Sequence, residues 1–244
     1  MVCVAARVRT ARLRVPAGYR PYSAHDKHSH GEQAHQPIIP ETVVPATSST
    51  SLPPLSAESR AFLARLIRVD QAGELAADLI YSGQHAVLKR TMPSIEPLIK
   101  HMWEQEVHHH ATFDHLQTRH RIRPSFLTPL WKVAAYGLGV GTAAMGKEAA
   151  MACTEAVETV IGAHYNNQLR TLAGMLEQEA TVAGGHVSPE LQKLAQTVSQ
   201  FRDDELEHLD TAVQNDAAGA RPYWLLTETI KGGCRAAVWV AERV

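Results

Sequence analysis

Two stretches of the sequence share one spacing: Glu106-Val-His-His109 and Glu205-Leu-Glu-His208 are each a Glu-x-x-His. Residues three apart on a helix project from one face, so each pair can hold a metal ion between a carboxylate oxygen and an imidazole nitrogen. Two further carboxylates interrupt apolar stripes. Leu63, Ile67, Glu74, Ala77 and Tyr81 form one stripe, and Met151, Thr154, Glu158, Ile161, Tyr165 and Leu172 form another. Glu74 and Glu158 thus point where core residues belong, and a buried carboxylate needs a partner. Four carboxylates balance two divalent ions, and oxygen-rich ligation with imidazole favours iron or manganese over thiolate-type zinc.

Holding six such groups together takes helices, and from Ser56 onward the pattern is helical with almost no strand signal. Helices are predicted over 56–90, 94–119, 127–147, 149–180, 188–214 and 222–242. They are broken at Met92-Pro93, Arg123-Pro124, Gly184-Gly185, Ser188-Pro189 and Arg221-Pro222. The order is a two-fold repeat: a helix with Glu, a helix with Glu-x-x-His, a crossover, and the same again. The fold class is all-α, a ferritin-like four-helix bundle with a di-iron centre and extra helices that interact with a membrane. Asp204, beside Glu205, is a candidate acceptor for the outer nitrogen of the opposing His109. His108 and His110 both fall outside the site, although His110, four residues after Glu106, is spaced so that it could compete with His109 as a ligand.

The third helix is apolar and small from Val133 to Gly146, too short to span a bilayer. With Phe126, Trp131 and Tyr136 near its start, it fits a membrane interface; burial in the core or an oligomer contact fits equally.

The 24 basic and 25 acidic residues argue against a nucleic-acid binder. Five arginines (Arg7, Arg9, Arg12, Arg14, Arg20) precede the first acidic residue, Asp26. Residues 1–25 therefore read as a mitochondrial transit peptide, with no continuous apolar stretch of the secretory kind. Residues 26–55, rich in Pro, Ser and His, read as a disordered linker, and 56–244 as the di-iron domain. Cys3, Cys153 and Cys234 are too far apart in sequence for a C-x-x-C metal site.

Several stretches resemble the demethoxyubiquinone hydroxylase family of ubiquinone biosynthesis, from about Leu66 to the C-terminus. They are Arg68-Val-Asp-Gln-Ala-Gly-Glu74, Met102-Trp-Glu-Gln-Glu106, Ala152-Cys-Thr-Glu-Ala-Val-Glu158, His164-Tyr165-Asn-Asn-Gln168, Phe201-Arg-Asp-Asp-Glu-Leu-Glu-His208 and Gly233-Cys-Arg235. The resemblance implies a monooxygenase hydroxylating the ring of demethoxyubiquinone, with two Fe ions per chain, O2, and NADH as electron donor. It implies Glu74, Glu106 and His109 on one iron, Glu158, Glu205 and His208 on the other, and Glu106 and Glu205 bridging. No G-x-G-x-x-G unit is present, so a nicotinamide site would not be a Rossmann domain.

Tyr165 and His164 are expected near the chemistry, with Tyr165 and Ile80 lining the quinone pocket. Tyr165 as a plain core aromatic is an equal alternative. Arg65 and Arg68 are candidate contacts to the cofactor or headgroup, and a solvated helix face explains them as well. Expected partners are the ubiquinone-precursor lipid, the matrix side of the mitochondrial inner membrane, a lipid-binding partner protein and a second copy of the chain. The alternative function is a ferritin-like iron-binding or structural subunit of a ubiquinone-biosynthesis complex. One departure from the family stands out: Glu158 and Glu205 are 47 residues apart against 32 for Glu74 and Glu106. A longer surface loop between the fourth and fifth helices is expected from this.

Overall fold

The computed structural model describes residues 55–182, 184 and 186–244. The transit peptide at 1–25 and nearly all of the linker at 26–55 lie outside the described residues. Six α-helices follow in order: α1 (Ala57–Thr91), α2 (Glu96–Arg119), α3 (Thr128–Ala144), α4 (Lys147–Val182), α5 (Pro189–Gln214) and α6 (Tyr223–Ala241). A short 3-10 turn, Ala217–Gly219, precedes α6, and no strand occurs among the described residues.

The boundaries have local causes. The Ser56 hydroxyl accepts the amide of Ser59 at the start of α1, and the Ser188 hydroxyl accepts that of Leu191 at the start of α5, where Pro189 supplies a preset φ. Between α3 and α4, Gly146 takes φ +119°, a conformation that a Cβ would resist, so two helices stand where an unbroken apolar run would otherwise continue.

Helices α1, α2, α4 and α5 form the bundle. One apolar cluster, with Leu88, Ile99, Met102 and Met151, fills it on one side of the Glu and His layer. A second, with Leu66, Phe113, Leu172 and Phe201, fills the other. Helix α3 packs on α1 and α6 on α4. The repeat therefore covers three helices per half rather than two and a crossover.

The contact of α3 with α1 is made by backbones. A Cβ on Gly83 would lie 2.6 Å from the Tyr136 carbonyl oxygen, and one on Gly139 would overlap the carbonyl of Ile80. Small residues at this crossing let the two helix axes approach without side chains between them.

The expected long loop between α4 and α5 is corrected by the structure. Helix α4 continues 24 residues beyond Glu158 against 17 for α1 beyond Glu74, and α5 begins 16 residues before Glu205 against 10 for α2 before Glu106. Most of the surplus thus lengthens both helices, because Met175, Leu176, Leu191 and Leu194 can add to the second apolar cluster. A short connection remains, across which Glu179 of α4 accepts the Ser188 amide at 2.7 Å.

Candidate metal centre

All six expected ligands converge in the middle of the bundle, each at most 1% exposed. They form two groups whose ligand atoms lie within 4.8 Å of one another: Glu74, Glu106, His109 and Glu205, and Glu106, Glu158, Glu205 and His208. Glu106 and Glu205 belong to both. Each imidazole turns Nδ1 inward. His109 Nδ1 lies 3.1 Å from Glu205 Oε1 and 3.5 Å from Glu74 Oε2, and His208 Nδ1 lies 3.0 Å from Glu106 Oε1 and 3.3 Å from Glu205 Oε2.

The outer nitrogens are held as well. His109 Nε2 faces Asp204 Oδ2 at 3.1 Å, the contact expected from the sequence, and His208 Nε2 faces Gln105 Oε1 at 3.1 Å. An acceptor at Nε2 keeps the proton there and leaves the Nδ1 lone pair for a metal. Gln105 was not singled out by sequence reasoning, although it precedes Glu106 just as Asp204 precedes Glu205.

The same symmetry produces a tyrosine exchange. Tyr165, seven residues after Glu158, donates to Glu74 Oε1, and Tyr81, seven residues after Glu74, donates to Glu158 Oε1 at 2.9 Å. Burial first, then the surrounding carboxylates, push both phenols well above their ordinary range, so both remain protonated donors. Tyr81 is a second functional candidate, and its place in the repeat is the signal that could have identified it.

Without a cation the cluster is poorly satisfied. Glu74 Oε2, both Glu106 oxygens, Glu158 Oε2, Glu205 Oε2 and His208 Nδ1 lack a hydrogen-bond partner. Buried polar atoms are normally paired, so this convergence of orphaned ligand atoms fits one or two metal ions. Burial, followed by the charge of Glu205, raises Glu106 to about 8. For His109 burial acts downward, but hydrogen bonds to Glu205 and Glu74 outweigh it and lift the imidazole to about 12. Burial would likewise raise Glu205, yet its hydrogen bond with His109 and its ion pair with His208 bring it down to about 2. Protons thus take the place of positive charge around a carboxylate set that cannot all be ionised alone.

The remaining expected residues fall as follows. Ile80 lines a cavity of about 410 Å3 enclosed by α1, α3, α4 and α6, with Ala77, Val157, Trp131, Ile230 and Val238 among its apolar walls. Gly73 and Ala77 flank Glu74 in sequence, and Val157 and Ile161 flank Glu158, so the cavity abuts the ligand layer. Tyr165 is not among the wall residues, being engaged with Glu74 inside the bundle. His164, with 20% of its side chain exposed, lies 3.4 Å from Asp70 Oδ1, and Gln168 donates to the same oxygen at 2.7 Å.

Arg68 binds the carbonyls of Ala241 and Glu242, both at 3.1 Å, and so caps α6 against α1. Arg65 is exposed one turn earlier. Its guanidinium acts with that of Arg123 on Arg68, whose pKa is lowered by burial first and then by these two charges. His110 does not compete for metal: its Nδ1 faces Asp78 Oδ2 at 3.1 Å, and Asp78 also accepts the Trp103 indole N–H at 2.7 Å.

Helices α3 and α6 and the turn before α3 carry an apolar outer surface, with Phe126 in that turn 78%, Val133 74% and Trp224 73% exposed, and Leu130, Tyr136 and Trp239 also outward. Trp131 instead turns to the cavity. No described helix is long and apolar enough to cross a membrane.

Comparison with known proteins finds relatives over most of the chain. The family described as ubiquinone biosynthesis protein COQ7 matches residues 61–241. The chain is 57% identical over 190 residues to the 5-demethoxyubiquinone hydroxylase, mitochondrial, of Saccharomyces cerevisiae, covering 78% of this chain and 82% of that protein. It is 48% identical over 187 residues to the NADPH-dependent 3-demethoxyubiquinone 3-hydroxylase, mitochondrial, of Homo sapiens, covering 76% and 80%. To the 3-demethoxyubiquinol 3-hydroxylase of Rhodospirillum rubrum it is 44% identical over 184 residues, covering 75% and 79%.

Proposed function

The chain belongs to the COQ7 family of ubiquinone biosynthesis, and from that membership we infer that it is a demethoxyubiquinone hydroxylase, a monooxygenase acting on the ring of a polyprenylated quinone precursor. The observation that carries the reading is the pair of overlapping Glu and His groups with their orphaned inward atoms.

We propose Glu74, Glu106, His109 and Glu205 around one iron and Glu106, Glu158, Glu205 and His208 around the other. Two irons held there supply reductive activation of O2. The protein's share is positional. Asp204 and Gln105 fix the imidazole tautomers, and Tyr81 and Tyr165 pin one oxygen of Glu158 and Glu74, leaving the other oxygen for metal. The cavity beside Ile80 excludes water, and its 410 Å3 suits a quinone ring with the first part of its tail.

Reducing equivalents enter, on this proposal, near Arg65, Arg68 and Arg123, whose clustered charge suits a dinucleotide's phosphates. His164, beside Asp70, and Tyr165, which donates to Glu74, are the proposed groups that hold or move protons on this side of the centre, while the electrons pass from the nicotinamide to the metal. The human relative's name specifies NADPH, whereas the sequence resemblance implied NADH; the donor assigned to this chain is a reduced nicotinamide of either kind.

The enzyme is mitochondrial, as are the relatives so named. We propose that it lies on the matrix face of the inner membrane through α3 and α6. Their exposed apolar residues are interleaved with exposed Lys132 and Arg235, and both helices also wall the cavity, so a lipid substrate would have a short path inward. A lipid-binding partner protein and a second copy of the chain are proposed occupants of the same surface.

The test supplies the ferrous full-length chain with a demethoxyquinone analogue, 18O2, and NADH or NADPH in separate reactions. Label in the new ring hydroxyl is expected. Iron bound at the centre with no labelled product under either donor would favour the iron-binding, non-catalytic reading.

A further inference from the structure

Three of the surroundings of the ligand layer are apolar. The two clusters of the bundle close it at either end, and the cavity beside α3 and α6 has no charged residue in its wall. A hydrated dication crossing any of these would lose its water without gaining ligands, at a prohibitive cost.

The side between α2 and α5 differs, because it is both polar and hollow. A pocket of about 400 Å3 there is lined only by His101, Glu104, Gln105, His108, His109, Gln200 and Asp204. His101, Glu104 and His108 occupy one face of α2, at spacings of three and four. Gln200 and Asp204 oppose them from α5. Glu104 pairs only with exposed Lys100 at 3.7 Å, a contact that is given up at little cost.

The inner end of this pocket is the back of the centre itself. His109 is 1% exposed, yet it belongs to the pocket wall, with Nε2 toward Asp204 and Nδ1 toward Glu205 and Glu74. Gln105, also in the wall, touches the outer nitrogen of His208. One imidazole therefore separates polar pocket from carboxylate cluster, and its ring rests on Phe201 with centroids 3.9 Å apart.

We propose that the α2–α5 pocket is a transient docking site for a hydrated divalent cation on its way to the buried centre. His101, Glu104 and His108 are its exchangeable ligands, and the His109 ring is the gate through which the ion passes. The inference rests on the reading that the buried cluster holds metal. It divides the molecule by chemistry: ions load from the α2–α5 side, and lipid approaches from the α3–α6 side.

The experiment is stopped-flow uptake of Co2+ by the metal-free full chain, followed by cobalt absorbance, with equilibrium stoichiometry measured alongside. Glu104→Gln should slow uptake about tenfold at limiting cobalt, since a cleft of opposite charge raises on-rates by at least that factor, and His101→Ala combined with His108→Ala should slow it comparably by removing both imidazole ligands. His115→Ala, on α2 outside the pocket, should leave the rate unchanged. Final stoichiometry and cobalt spectrum should match the parent in every variant. Parental uptake rates in the pocket variants would overturn the proposal, and so would a lost equivalent of bound cobalt, which would make these residues ligands of the resting ion. A parent chain that takes up no cobalt into the cluster would instead overturn the metal-centre reading.

Discussion

The two halves of the molecule present the same ligands in the same order but different neighbours. Around His109 the outer acceptor is the carboxylate of Asp204, and the ring stacks on Phe201. Around His208 the outer acceptor is the amide of Gln105, and the nearest aromatic ring is Tyr81 at 5.6 Å. A carboxylate acceptor makes an imidazole a stronger donor to metal than an amide does. Repetition of the ligands thus sets where two ions go, and the unrepeated contacts make the two positions chemically unequal.

The largest blow to the shared feature is loss of a ligand. Glu158→Ala and Glu74→Ala should each abolish turnover and lower bound iron while circular dichroism shows helical content largely retained. Removing either buried carboxyl also removes an unpaired polar oxygen from the metal-free fold. Retained hydroxylation in either variant would contradict the ligand assignment.

A structural asymmetry comes next, because α3 lies on α1 by backbone contact at Gly83 and Gly139. Gly139→Ala forces a Cβ into the Ile80 carbonyl and should destabilise the protein by about 3 kcal/mol, the upper end of overpacking costs. Equilibrium denaturation reads this directly, and a parental midpoint would show that the crossing gives way easily.

The unequal acceptors can be tested by making them alike. Asp204→Asn should weaken the more tightly held ion by about tenfold in a competition with a chelator, whereas Gln105→Ala should act on the other ion and by less. Equal losses in both variants would erase the distinction between the halves. Smaller again is the membrane effect: replacing Phe126, Trp131 and Tyr136 by Ser should reduce liposome partition without changing iron content. Unchanged partition would favour an oligomer contact for α3. Within this set Trp131 faces the cavity, so a Phe126 and Tyr136 pair isolates the outer surface.

The ligand set was legible because each half of it is local: Glu-x-x-His declares itself within one helical turn, and a Glu in an apolar stripe within two. Helix ends were legible from Pro93, Pro189 and Pro222, which act through their own backbone. What crosses between helices was not. Gln105 and Tyr81 matter through His208 and Glu158, which lie 103 and 77 residues away in sequence respectively. His110 was expected outside the site, but what holds it there, Asp78 on α1, could not be read from the sequence. The extra residues between Glu158 and Glu205 were visible as a count, but a count does not distinguish a loop from two lengthened helices. Glycines such as Gly83 and Gly139 read alike in sequence whether they loosen a helix or let another one approach.

The tyrosine exchange bears on the smallest unit that could work. Each half lends its phenol to the other half's carboxylate, as two chains of a swapped pair would. A lone half keeps one Glu and one Glu-x-x-His but leaves its own Glu without a donor and without the opposing bridge. Two halves, joined through the Gly146 bend or meeting as separate chains, are therefore the least that completes one centre, and the repeat is a reciprocal lock between its copies.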